Sequence, residues 1–101
     1  MPYYVVGVDA SEEAERLISA RIRYLGGQRV LKSLWLLETD RTPQQLRNLV
    51  LRLVEPAPRI FVAEFGEKPV VKNARPGTGN WIKVKFAGDA QQDALAPGEL
   101  T

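Results

Sequence analysis

The order of apolar and polar positions along the chain predicts six elements in the sequence β-α-β-β-α-β. Strand-forming residues fill 3–8 and 60–65, and apolar residues recur at helical spacing in the stretches that follow Asp9 and Thr42. Between those stretches, the run RVLKSLWLLETDRTPQQL (29–46) predicts two strands that meet at a bend near Lys32 and Ser33, followed by the start of the second helix. The pattern favours an α+β domain built on a four-stranded antiparallel sheet.

The first helix is predicted from a capping signal and a stop signal. Asp9-Ala10-Ser11-Glu12 has the form of a capping box. In such a box the Asp9 carboxylate accepts a hydrogen bond from the Glu12 backbone amide, and the Glu12 side chain bonds back to the Asp9 amide. Gly26-Gly27 is expected to end the helix, because glycine tolerates the left-handed conformation of a cap. The predicted buried stripe consists of Ala14, Leu17, Ile18, Ile22 and Leu25.

The second helix is predicted to begin at a threonine cap. Thr42-Pro43-Gln44-Gln45 combines a capping hydroxyl, a proline suited to the first turn and a glutamine that closes the box. Pro56 and Pro58 are expected to prevent the helix from continuing beyond this point. The predicted buried stripe consists of Leu46, Leu49, Val50, Leu53 and Val54.

The C-terminal third predicts a loop-like segment beyond Gly66 and then a short fifth strand at 81–86. The hexapeptide WIKVKF alternates, with Ile82, Val84 and Phe86 on one side and Trp81, Lys83 and Lys85 on the other. The predicted domain therefore spans 1–86, and 87–101 is expected to be a flexible tail.

The predicted sheet is apolar on both faces, which two helices cannot cover. Leu34-Trp35-Leu36-Leu37 shows no alternation, although an antiparallel sheet with one wet face should alternate. One cover is a second copy of the chain, with Trp35, Leu37, Ile82, Val84 and Phe86 at the dimer interface. The other is segment 66–86 folding over the same face within one chain.

Composition narrows the possible chemistry. The 101 residues contain no cysteine and no histidine, so serine–histidine triads and the usual zinc sites are excluded. No stretch approaches the ~18 apolar residues of a membrane span, and a cytoplasmic protein is expected. The net charge is +2, yet five bases and no acid lie between Lys68 and Lys85, which is compatible with a nucleic-acid partner.

Over residues 3–65 the sequence resembles the ferredoxin-like, CRISPR-associated Cas-two family, especially its SinR-like relatives, and more distantly the VapD-type ribonucleases. The resemblance is carried by the strand that ends in Asp9, Gly26-Gly27, Arg29-Val30, the Ser33-Leu34-Trp35 step, and Thr42-Pro43 with Leu46. It implies a homodimer in which the last strand, 81–86, packs on the partner's sheet. It also implies that two copies of Asp9 hold Mg²⁺ or another divalent metal for cleavage of RNA or DNA.

The residues themselves leave alternatives open. Asp9 suits a helix cap as well as a metal ligand, and Ser33 suits a strand bend better than a nucleophile. The side chains of Trp81, Lys83 and Lys85 offer a stacking and charged surface for nucleic acid, with Arg75 reaching phosphates, or they protect an exposed strand edge. Two functions follow: a metal-dependent endonuclease that uses Asp9, or a non-catalytic dimeric module that binds nucleic acid or protein.

Overall fold

The chain folds into four strands and three helices, which a computed structural model describes over residues 1–87. The predicted tail, 87–101, therefore lies almost entirely outside the described residues. Within residues 1–87, no helix is long and apolar enough to cross a membrane. In chain order the elements are β1 (Tyr3–Asp9), α1 (Glu12–Tyr24), β2 (Gln28–Leu31), β3 (Leu34–Glu38), α2 (Pro43–Leu51), β4 (Arg59–Phe65) and α3 (Thr78–Lys85).

The four strands form one antiparallel sheet in the order β2-β3-β1-β4, which confirms the predicted α+β class and four-stranded sheet. This arrangement is compatible with a ferredoxin-like fold. Val6 in the centre of β1 lies opposite Trp35 of β3 and Val62 of β4. Since antiparallel partners share a face, these three side chains point to the same side of the sheet.

The main core lies between that side of the sheet and helices α1 and α2. Trp35 and Leu37 are fully buried there, and the indole Nε1 of Trp35 donates a hydrogen bond to Ser19 Oγ at 2.9 Å. The two residues were predicted to lie at a dimer interface. That placement is wrong for this fold, because burial within one chain leaves them no surface to offer a second copy. The core consists of Tyr4, Val6, Val8, Ile18, Ile22, Trp35, Leu37, Leu46 and Val50.

Helix α1 begins two residues later than the sequence suggested. Ser11, not Asp9, is the cap, and its Oγ accepts a hydrogen bond from the Ala14 amide at 3.2 Å. Asp9 is still part of β1, where it pairs with Arg59. Leu17 is also misassigned to the buried stripe, since half of its surface is exposed.

The end of α1 follows the prediction. Gly26 adopts φ +85°, and its amide bonds to the Arg23 carbonyl, while the Gly27 amide bonds to the Ile22 carbonyl. These two bonds define a Schellman cap, in which the left-handed position favours glycine. Gly27 has a different role, because a Cβ there would lie 2.4 Å from Ile22 Cγ2.

Helix α2 confirms its predicted capping box. The Gln45 amide donates to Thr42 Oγ1 at 3.1 Å, and the Thr42 amide donates to Gln45 Oε1 at 2.9 Å. Leu46, Val50 and Val54 are buried as expected. Leu49 and Leu53, the other two residues of the predicted stripe, pack against the core while partly exposed.

The predicted fifth strand at 81–86 is wrong, because the segment belongs to helix α3. Thr78, Ile82 and Phe86 are buried, and their spacing of four places them on one side of a helix, whereas Val84 stays 62% exposed. Alternation in WIKVKF suggested a strand, but packing against the sheet selects the helical stripe.

Helix α3 covers part of the second sheet face within the same chain. Over that part, the cover is therefore segment 66–86 and not a second copy. At one end, Thr78 Oγ1 accepts a hydrogen bond from Gln28 Nε2 of β2 at 3.4 Å. At the other, the Phe86 ring stacks on Tyr3 with centroids 4.6 Å apart and lies near Phe65. Tyr3 also donates its hydroxyl to the Lys85 carbonyl at 3.0 Å. The helix is thus fastened to the sheet at both ends.

Residues 1–87 leave one row of the second face uncovered. Leu31, Leu34, Gly7 and Phe61 are cross-strand partners in turn, so they run across all four strands on the side away from α1 and α2. Phe61 is 64% exposed and Leu31 51%. We call these four residues the open row.

Candidate functional site

Asp9 lies beside the open row, at the carboxyl end of β1. Its exposed side chain alternates to the second face, and Arg59 lies opposite it on β4. A shallow pocket of about 320 Å³ is lined by both residues together with Gly7, Val8, Ser33, Ile60 and Phe61. The structure therefore brings Asp9 and Ser33, both singled out in the sequence, to one hollow.

The Asp9 carboxylate has no structural partner among residues 1–87. It accepts no hydrogen bond and forms no ion pair within that part of the chain, and Ser11 performs the capping role. Asp9 also lines a second hollow of about 390 Å³, which includes Ser11, Glu55 and Arg59. The carboxylate stands between two hollows and is open to a ligand from either.

Residues 1–87 of one chain do not assemble a metal site around Asp9. Within residues 1–87 there is no group of three or more acidic, cysteine or histidine side chains that could hold an ion. Hard divalent cations need several oxygen ligands. Asp9 supplies carboxylate oxygens of the type that such cations bind, but among residues 1–87 it is not part of a group of three or more such side chains.

Ser33 is engaged by a buried acid that the sequence analysis did not single out. Its hydroxyl donates to Glu15 Oε2 at 2.5 Å, and Glu15 is only 2% exposed. Glu15 lies in the first turn of α1 together with Glu12 and Glu13. Its spacing from Ile18 and Ile22 puts it on the buried side of that helix, and this was the available signal.

Arg29 completes this cluster. Its Nη2 lies 3.4 Å from Glu15 Oε1, and its guanidinium also donates to the Lys32 carbonyl. The same group lies 5.6 Å from the centre of the Trp35 ring. The cluster of Glu15, Ser33 and Arg29 therefore ties α1 to the turn between β2 and β3, next to the Asp9 pocket.

The predicted nucleic-acid residues on 81–85 do not share one face. Trp81 donates its indole N–H to the Gly26 carbonyl at 2.8 Å, and Lys85 pairs with Glu38 at 3.1 Å while lying over the Trp81 ring. Lys83 is exposed on another side of the helix. The flat stacking surface expected of a strand is not formed.

Arg75 lies in a basic groove that the sequence did not reveal. The groove has a volume of about 400 Å³ and is lined by Arg16, Ser19, Ala20, Arg23, Gln28, Arg29, Arg75 and Pro76. The arginines at 16 and 23 are seven residues apart on α1, so they lie on one side of the helix. That spacing was the signal in the sequence, whereas the approach of Arg75 depends on the tertiary fold.

Comparisons with protein-family models, with curated proteins and with solved structures found no match.

Proposed function

We propose that the protein is a homodimeric, metal-dependent endonuclease of the Cas-two or SinR-like type, acting on RNA or DNA. The observation that carries this proposal is the position of Asp9, an exposed carboxylate that has no structural partner among residues 1–87 and lies beside an apolar row that those residues leave uncovered. Acids at such a position usually cap a helix or form an ion pair with a basic side chain. Within residues 1–87 the Asp9 side chain does neither, although its backbone lies opposite Arg59 in the sheet.

The open row supports the dimer. Complete burial of one leucine or phenylalanine side chain contributes about 1.5–3 kcal/mol, and Leu31 and Phe61 are each more than half exposed. A two-fold contact buries the same patch on both copies. Since Phe61 also lines the Asp9 pocket, such a contact would bring the two Asp9 carboxylates towards each other.

The paired carboxylates supply the chemistry. Asp9 from each copy would hold a divalent cation such as Mg²⁺, which when bound polarises a phosphodiester and lowers the pKa of a water molecule. Arg59 lies opposite Asp9 and offers a guanidinium fork to a phosphate oxygen. Ser33 is held by Glu15 and shapes the wall of the pocket.

Replacement of Asp9 by asparagine tests the catalytic role. Asp9 is exposed and makes no bond within the described residues, so the free energy of unfolding should change by less than about 0.5 kcal/mol. Mg²⁺-dependent cleavage of labelled single-stranded RNA and duplex DNA should fall to the level without protein. Glu13→Gln, a change at another exposed acid, is the control and should cleave normally. Persistent cleavage by Asp9→Asn would exclude this role.

Replacement of Phe61 by lysine tests the dimer. A charge in the open row should convert the dimer to a monomer in sedimentation experiments, whereas Val84→Lys on α3, where the side chain is equally exposed, should leave it dimeric. A wild-type protein that stays monomeric at high concentration would refute the proposed interface.

A second candidate is a non-catalytic dimeric module that binds nucleic acid or protein. It is favoured by the absence, among residues 1–87, of an acidic cluster around Asp9. The two candidates separate in one comparison. The module binds without cleaving, and its binding does not change in Asp9→Asn or on addition of EDTA.

A further inference from the structure

The basic groove on α1 and the segment before α3 has no assigned role in the proposed chemistry. Arg16, Arg23 and Arg75 are exposed in it and form no ion pair with any residue of 1–87. Arg29 differs, because Glu15 partly neutralises it. Three unpaired cations around one hollow repel each other, and a bound polyanion relieves that repulsion.

The groove is built on fixed backbone. The Arg75 amide donates to the Val30 carbonyl at 2.9 Å, and Gln28 Nε2 donates to the Pro76 carbonyl at 3.0 Å. Buried Thr78 holds the Arg75 carbonyl from the other side. The base of the Arg75 side chain is therefore positioned before any ligand arrives, which lowers the entropic cost of binding.

The floor of the groove offers small side chains and a hydroxyl. Ser19 and Ala20 lie between the two arginines of α1. Ser19 Oγ already accepts the Trp35 indole N–H, so its own hydroxyl proton can be donated to an oxygen of the ligand. Seven residues of helix rise about 10 Å, so Arg16 and Arg23 are far enough apart to bind two different phosphates of one strand.

The groove also leads towards Asp9. A neighbouring hollow shares Arg16, Arg29 and Arg75 with it and extends to Lys32. The next residue, Ser33, lines the Asp9 pocket. Glu12 at the edge of the neighbouring hollow adds a negative charge, which limits the anion to the arginine side.

We propose that Arg16, Arg23 and Arg75 bind backbone phosphates of one nucleic-acid strand and direct that strand towards Asp9. Arginine is suited to this task, because its planar fork forms two parallel bonds to a phosphate group. The proposal rests on the proposed function for its substrate class, and it names the surface that holds the substrate.

The test is binding in EDTA, where cleavage cannot interfere. The probe is a fluorescein-labelled 20-nucleotide single-stranded RNA, with single-stranded DNA and a 20-base-pair DNA duplex as parallel arms, measured by anisotropy at several salt concentrations. The variant carries Arg16→Gln, Arg23→Gln and Arg75→Gln together. At about 0.7 counterions per phosphate contact, it should lower the salt slope by about 2 and weaken binding about 50-fold at 0.15 M salt.

A matched control removes the same charge elsewhere. Arg21→Gln, Arg47→Gln and Arg52→Gln together change exposed arginines outside the groove, and binding should stay within about threefold of wild type. Equal losses in both triple variants would mean that net charge alone sets the affinity, and would overturn the proposal. The proposal is also overturned if the wild-type protein binds none of the probes.

Two further arms complete the test. Replacing the groove arginines with lysine retains the charge, so the salt slope should remain close to wild type even if the glutamine variant proves unstable. Inorganic polyphosphate that competes as well as RNA, phosphate for phosphate, would overturn the assignment to nucleic acid. If the glutamine variant lost binding but cleaved normally, the groove would not deliver the substrate to Asp9, and the proposal would be overturned while the proposed function stood. If Asp9→Asn lost cleavage but kept binding, the groove would act as proposed.

Discussion

Removal of the Glu15 carboxylate should destabilise the protein far more than removal of any neighbouring acid. Glu15 is 2% exposed and accepts hydrogen bonds from Ser33 at 2.5 Å and from Arg29 at 3.4 Å. A hydrogen bond to a charged group contributes about 1.5–3 kcal/mol, and the long, partly exposed Arg29 contact contributes about 1 kcal/mol or less. Glu15→Ala should therefore cost about 3 kcal/mol.

The change is measured by urea unfolding followed through tryptophan fluorescence, because Trp35 is buried beside the cluster. A loss of about 3 kcal/mol corresponds to a fall in Tm of roughly 12–24 °C for a domain of this size. Glu13→Gln, at an exposed position on the same helix, should change stability by less than about 0.5 kcal/mol.

A double-mutant cycle separates the Ser33 bond from the rest of the cluster. Ser33→Ala alone and Glu15→Ala alone each remove the bond between the two side chains, so the double variant should recover about 2 kcal/mol relative to the sum of the single losses. Strict additivity would show that the two side chains do not stabilise each other. A Glu15→Ala protein as stable as wild type would refute the reasoning as a whole.

Four other substitutions should act through packing and caps, each measured by the same urea assay. Gly27→Ala should lower the free energy of unfolding by about 3 kcal/mol, since the new Cβ would meet core atoms as close as 2.4 Å. Gly26→Ala should lower it by only about 1 kcal/mol, because the space around Gly26 is open and only its positive φ is unfavourable for alanine. Phe86→Ala should cost about 3 kcal/mol by removing the ring that stacks on Tyr3, and a loss below 1 kcal/mol would argue against α3 as a cover. Thr42→Ala should cost about 1 kcal/mol through the lost cap; an unchanged midpoint would show that the capping box does not contribute.

Features set by neighbouring residues in the chain could be predicted from the sequence. The box at Thr42 and the glycine stop at Gly26 depend on hydrogen bonds that span a few residues, so their residue types carry the information directly. At Asp9 the local capping signal alone does not decide where the helix begins. Both Asp9 and Ser11 are good caps, and pairing with Arg59 in the sheet keeps Asp9 in β1 and leaves the cap to Ser11.

Features set by contacts distant in sequence could not be predicted in the same way. The hexapeptide 81–86 carries both an alternating pattern and a spacing of four, and only the surface presented by Tyr3 and Phe65 favours the helix. The basic groove likewise depends on a segment some fifty residues from α1 meeting that helix. The hydrogen bonds of buried Glu15 depend on Arg29 and Ser33, which are more than ten residues away along the chain.

The attachment of α3 at both ends has a consequence for local opening of the protein. Thr78 at its first turn and Phe86 at its end are buried, while Val84 between them is exposed. Such a helix cannot unravel gradually from one side, because each end holds the other in place. It should open as one cooperative unit, so hydrogen exchange should give its protected amides a common opening free energy that differs from that of the sheet beneath.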